Sequence, residues 1–268
     1  MHRHGVNAYK KPGFCLPGFI MSICEMGCSS VGFGGFMAGV ITHLVIAKEM
    51  LRLLKEDTIK DPGLFYLGTM APDAVHAREG YMRAHKKHTH FRDDIPDRDF
   101  ETPENYSIYH TRLVDFISRN KDRKDGLLDL YRGYVVHILT DELFVLSIRK
   151  EFCDIMAAMG ISQHDRYFFD SIVTDMNRND LLLVDQYDGM EELRKAMEQV
   201  PIYPVEDLIS SQEMSDSRDW LVRQHFHTEH EHLEPVYISY GRMQKFIHTA
   251  AEEIVKRLTD GASLPKML

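Results

Sequence analysis

Strand signals are the scarcest feature of this sequence: β-branched runs, apolar–polar alternation and hairpin turn dipeptides are all uncommon. Little remains from which to build a sandwich, a barrel or a parallel sheet. The expectation is an all-α fold of roughly seven to nine helices. Cysteine is sparse too, with 4 in 268 residues, and Cys15, Cys24 and Cys28 all precede residue 30. No disulfide framework can be drawn from them, which fits a reducing compartment and a cytoplasmic location. The spacing of Cys24 and Cys28 admits a metal or redox role without pointing to one. Basic charge is in deficit, with a formal net charge of -9, so no stable nucleic-acid complex is expected, local basic patches aside. No apolar run is unbroken enough for a transmembrane helix.

Residues 1–36 differ in character from the rest. The stretch KPGFCLPGFIMSICEMGCSSVGFGGF is apolar and glycine-rich, with few charges. Lys10 and Lys11 give it the basic start of a signal peptide, whereas Glu25 and the glycines interrupt the apolar run. A weakly ordered or signal-like leader is expected at 1–36, leaving export or anchoring open, with one main domain at 37–268.

What the chain does have is histidine: 15 residues, unevenly placed, with tight groups at 85–90 and 225–232. Helical periodicity is equally plain. In ITHLVIAKEMLRLLKED, His43, Ala47, Met50 and Leu54 share a face, with Thr42 as an N-cap. Asp61-Pro62-Gly63 turns the chain into the apolar GLFYLGTMAPD; residues 76–99 read mostly as loop. Further helices are expected at 106–118, 127–153, 165–177, 189–200, 205–210, 220–230 and 236–258.

The stretch YRGYVVHILTDELF, 131–144, holds the chemical question. Leu130, Tyr134, Val135, Ile138 and Leu139 mark a core helix, yet His137 and Asp141 lie one turn apart on it. Gly133, one turn before His137, removes a side chain from that face and makes room for something packed there. An uncompensated buried carboxylate costs several kcal/mol, so Asp141 needs a hydrogen bond to His137, an arginine or a metal ion. His43 lies on a mostly apolar helix face, Asp73 ends an apolar segment, and His90 precedes Phe91 in HTHF. Three histidines and two aspartates are the right donors for one or two zinc ions, and a satisfied polar pair is the alternative.

Four segments, ITHLVIAKEMLRLL, GTMAPD, THF and YVVHILTDE, stand in the order seen in the zinc-dependent phospholipase C family, which the chain resembles over about 37–144. That superfamily also takes in, more distantly, the fungal single-strand nucleases. The resemblance implies an all-helical phosphate-ester hydrolase with two or three zinc ions. By position, His137 and Asp141 match its helical H-x-x-x-D, whose aspartate bridges metals. His90 matches a ligand of the zinc pair, and His43 a ligand of the third zinc. Asp73 matches the aspartate that ligates zinc and serves as general base. A later H-x-x-x-E helix corresponds to His225 with Glu229, or to His227 with Glu231. The chain departs from the family in two places. Its one tryptophan is Trp220, not an amino-terminal ligand, and DELFVLSIRKEF has no histidine after Asp141, leaving His110 or His164 for that role.

The resemblance further implies that zinc polarises a phosphate oxygen and activates water, with Asp73 taking the proton. The substrate would be a small phosphate ester or a phospholipid, the latter with transient contact at a membrane surface. Arg78, Arg83, Lys86 and Lys87 would face the phosphate or simply be solvated. Two other readings stand beside this one. A closed zinc site or buried polar cluster would make the chain a non-catalytic scaffold or binding module. The adjacent His164-Asp165 would serve an HD-type phosphohydrolase.

Overall fold

A computed structural model describes residues 38–268. The expected leader at 1–36, with Cys15, Cys24 and Cys28, lies outside the described residues. Among the described residues there are ten α-helices and one isolated bridge, Val205 to Ile209, so the fold is all-α as expected.

Helix α1 is Val40–Leu53, α2 is Pro62–Met70, and a 3-10 turn, Ala71–Ala77, follows directly. Helix α3 is Arg83–Thr89, α4 is Pro103–Asn120 and α5 is Leu128–Phe144. A π-helical turn, Val145–Arg149, joins α5 to α6, Lys150–Ala158. Then come α7 (Arg166–Gln186), α8 (Met190–Gln199), α9 (Ser211–Leu221) and α10 (Tyr240–Asp260).

Helix α5 is the axis of the core. Every residue from Gly133 to Glu142 is buried, which only a helix covered on all sides can achieve. Its closest neighbour is α2, and glycine sets that closeness. A Cβ on Gly133 would stand 2.0 Å from the Phe65 carbonyl oxygen, and one on Gly68 would stand 2.1 Å from that of Leu130. The two backbones therefore touch, and the space that Gly133 leaves is filled by α2.

The start of α1 is fixed from a distance. Its N-cap is Gly39, not Thr42, and its free amide groups are met by Asp180 of α7. The Asp180 carboxylate accepts from the Ile41 and Thr42 amides at 2.9 and 3.0 Å and from the Thr42 hydroxyl at 2.8 Å. A cap supplied by residue 180 has no local signature around residue 42.

Three other expectations need correction. Residues 76–99 are not mostly loop, because α3 and a second 3-10 turn, Asp97–Asp99, lie within them. Residues 205–210 form a tight turn closed by the Val205–Ile209 bridge, with Asp207 at φ 63°, and not a helix. The helix expected at 220–230 starts earlier and ends sooner. Ser210 and Glu213 form a reciprocal capping box that opens α9, which runs into a π turn, Val222–Phe226, and stops before His227.

Candidate metal centre

His137 and Asp141 stand on α5, both 1% exposed, with Nε2 3.4 Å from Oδ2. From α1, His43 brings its Nε2 to 3.3 Å from Asp141 Oδ1, and its ring stacks on His137 with centroids 3.8 Å apart. At the end of α3, His90 Nε2 lies 3.3 Å from Asp141 Oδ2 and 3.2 Å from His137 Nε2. Asp73, in the 3-10 turn after α2, places Oδ1 3.4 Å from His90 Nε2. Five of the expected ligands thus converge from separate segments. Their donor atoms form two overlapping groups able to hold a metal ion, His43–His137–Asp141 and Asp73–His90–His137.

Each residue of the T-H-F triplet has a part in this. The Thr89 hydroxyl donates to the Pro72 carbonyl at 2.9 Å, tying α3 to the turn that carries Asp73. Thr89 also offers its carbonyl to the Tyr134 hydroxyl of α5. Phe91 has φ 58°, an uncommon conformation for a non-glycine residue, and turns the chain sharply after His90. Its ring lies against Phe116 and Tyr134 and anchors that turn in the core.

Proton placement follows from the carbonyl partners. His137 Nδ1 is 2.7 Å from the Thr69 carbonyl oxygen, and His90 Nδ1 is 2.8 Å from that of Lys86. A carbonyl can only accept, so both Nδ1 atoms carry the hydrogen, and in the neutral rings both Nε2 atoms present lone pairs. Those lone pairs face each other and Asp141 Oδ2. Such backbone carbonyl contacts are the usual outer-shell orientation of histidine ligands. Asp141 Oδ2 and both nitrogens of His43 have no hydrogen-bond partner among the described residues.

The neighbouring carboxylate shows what a purely structural solution looks like. Glu142, also 1% exposed, accepts from the hydroxyls of Tyr106 and Tyr109 at 2.9 and 3.0 Å and from Arg257 at 2.7 Å. Asp141 receives one backbone amide, that of Ala38 at 3.3 Å, and otherwise faces imidazole nitrogens. Without a cation, the compensation left to it is a proton on one of those rings.

The electrostatics agree. Burial, aided by the charge of His137, lowers the pKa of His43, and burial pushes that of His90 down to about 3. At His137 burial also opposes the charge, but Asp141 outweighs it and the pKa rises. Burial likewise works against the charge of Asp141, and the facing imidazoles, His137 foremost, hold its pKa well below the usual range. Asp73 is held low in the same way against burial, chiefly by Lys86. Without a metal, these shifts favour charge on His137 and Asp141 and the neutral form of His43 and His90.

A pH dependence follows. His90 has a folded pKa below its unfolded value of about 6.5, so the stability it contributes is present above that value and lost as pH falls toward about 3. His43 acts in the same direction. Asp180, raised to about 6 by burial, opposes this below pH 6, since its contribution is lost as pH rises. His137, raised above its unfolded value, adds slightly to stability as pH falls through 6.5, and Asp141, held low, is flat in that window. His225, lowered to about 4 by burial, adds to the loss, so metal-free protein is expected to lose roughly 2–4 kcal/mol between pH 6.5 and 5. Urea midpoints across that range check it, and a flat profile would contradict it.

The remaining expected residues lie elsewhere. His225 sits in the π turn with its ring against Trp220, and Glu229 is exposed beyond the end of the helix. The two share no helical face, and neither belongs to a metal-capable group among the described residues. His227 pairs with Glu198 at 2.8 Å, and Glu231 is exposed. His110 lies beside Tyr106, and His164-Asp165 is an exposed turn at the start of α7. Of the four basic residues, Arg78 pairs with Glu213 and Arg83 with Asp97, while Lys87 donates to the Ile95 carbonyl. Lys86 alone joins the cluster, buried and 2.6 Å from Asp73 Oδ1. Its sequence context, a polar histidine-rich run, gave no sign of that burial.

Access is narrow. One surface cleft of about 440 Å³ is lined by Arg112, Arg119, Arg123 and Tyr131, and another of about 260 Å³ by His110, Glu142 and Arg257. Neither opens on the His–Asp cluster, whose one partly exposed member is Asp73, at 27%. No described helix is long and apolar enough to cross a membrane. Comparison with protein-family models, curated proteins and solved structures gave no match to this chain. The His–Asp cluster thus stands on its own geometry: a buried set of converging ligand atoms between the core helices of an all-α domain.

Proposed function

We propose that this chain is a metal-binding helical domain whose core is braced by a divalent ion, zinc by its donor set of imidazole nitrogen and carboxylate oxygen. One observation carries the reading. Asp141 is fully buried beside three imidazoles and lacks the donors that neutralise Glu142. His43, His137 and Asp141 would hold the ion, linking α1 to α5, and the Thr69 carbonyl orients His137. A chelator-treated sample should then melt lower than a zinc-loaded one. Ion present at 1,000 times its dissociation constant adds about 4 kcal/mol of stability. Equal melting with and without zinc would contradict the reading.

Hydrolysis of a phosphate ester, including a phospholipid, is a second reading, favoured by the partial exposure of Asp73. Bound zinc supplies Lewis acidity toward a phosphoryl oxygen. Asp73, ionised and at the solvent edge, would accept a hydrogen bond from the attacking water and orient it, and Lys86 beside it would hold a phosphate oxygen. Asp73→Asn should abolish turnover of a phosphodiester such as bis(p-nitrophenyl) phosphate while zinc content holds. No turnover by the zinc-loaded native chain on phosphodiesters or phospholipids would leave the bracing role alone.

A further inference from the structure

The two metal-capable groups overlap at His137, and that overlap limits what they can hold together. His137 Nδ1 is committed to the Thr69 carbonyl, so the ring has one nitrogen to offer, and one imidazole nitrogen binds one ion. If His43, His137 and Asp141 Oδ1 take an ion, a second can draw only on His90, Asp73 and Asp141 Oδ2. His90 Nε2 stands between the two carboxylates, 3.4 Å from Asp73 Oδ1 and 3.3 Å from Asp141 Oδ2.

A cation already stands there. The Lys86 ammonium is 2.6 Å from Asp73 Oδ1, on a side chain that is 9% exposed. The Lys86 carbonyl receives the Nδ1–H of His90, which holds the lysine and histidine backbones one turn apart. Asp73 is the only ion-pair partner of this ammonium among the described residues. Charge gives the same result. With neutral histidines, two carboxylates and one ammonium leave a single negative charge, which one divalent ion turns into a single positive one. A second divalent ion would build up a large positive charge in a pocket whose histidines are 1% exposed, where like charges repel strongly.

Building on the metal-binding reading, we propose that Lys86 is a resident cation occupying the second half of the centre, so that the protein holds one metal ion where its ligands would otherwise hold two. The metal and the ammonium would then face the solvent edge at Asp73 as a mixed pair.

The test is zinc stoichiometry by mass spectrometry on the native chain, Lys86→Met and Lys86→Arg, each equilibrated with excess zinc and passed through a desalting column. Lys86→Met keeps the apolar stem and removes the charge, and circular dichroism shows whether each chain is folded. One zinc is expected for the native chain and for Lys86→Arg, and two for Lys86→Met. Adding Asp73→Ala to Lys86→Met should return the count to one. Two ions on the native chain overturn the inference while leaving the metal-binding reading intact, whether or not the variants fold. One ion on folded Lys86→Met also overturns it. No zinc on the native chain removes the metal-binding reading itself, and this inference with it.

Discussion

A Gly133→Ala chain is expected to lose a large part of its folding stability, at least about 3 kcal/mol, and Gly133→Val to give no folded protein. The added Cβ would stand 2.0 Å from the Phe65 carbonyl oxygen and 2.9 Å from Gly68 Cα. Both obstacles are backbone, so no rotamer change relieves the clash. Helices α2 and α5 would have to separate by more than an ångström, along the most extensive helix–helix contact in the core. Overpacking relieved by side-chain movement costs about 1–3 kcal/mol; this case lies at or beyond the upper end. Against a total of about 5–15 kcal/mol for an ordinary domain, such a loss is severe. The separation also draws the Thr69 carbonyl away from His137 Nδ1, now 2.7 Å apart, so any folded Gly133→Ala protein should bind zinc more weakly. Urea denaturation with and without zinc measures both effects. An unchanged midpoint would show that the two helices can slide apart freely.

The second large effect is expected for Asp141→Asn. This change keeps size and shape and removes the one charge that three histidines share. Breaking a buried charge pair costs about 3–5 kcal/mol, equivalent to a loss in zinc affinity of roughly two to three and a half powers of ten at about 1.4 kcal/mol each. The metal-free protein should be destabilised too, because protonated His137 would lose its counter-charge. Glu142→Gln provides the control. That carboxylate is equally buried but satisfied by Tyr106, Tyr109 and Arg257, so its loss should lower stability and leave zinc affinity within a few-fold. Zinc titration by competition with a fluorescent chelator separates the two. Similar losses of affinity in both variants would mean that Asp141 has no special relation to the ion.

How much of this could be read from the sequence differs by element. The core helix at 128–144 was legible because apolar residues surround His137 and Asp141 on every side. Gly133 was legible as a space-maker, though not what would fill the space. The convergence of His43, Asp73 and His90 on that helix was carried by the order of short motifs and by no periodicity. Two expectations differ from the structure at helix boundaries, which short-range sequence does not set. His225 and Glu229 have helical spacing, but the chain leaves the helix after Phe226. Residues 205–210 looked helical next to Ser210, which in fact opens α9 through its bond to the Glu213 amide. Long-range polar contacts left no trace at all. Asp180 caps a helix 139 positions away, and Lys86 is buried in a run of residues that reads as solvated. Such contacts depend on tertiary placement alone.

The measurement that bears most directly on the metal-binding claim is anomalous diffraction at the zinc edge, from crystals of untagged protein purified without added metal and then offered zinc at neutral pH. The expected result is a single strong peak about 2 Å from His43 Nε2, His137 Nε2 and an oxygen of Asp141. An empty centre after zinc has been offered would contradict the claim and leave His137 and Asp141 as a buried ion pair within a helical core.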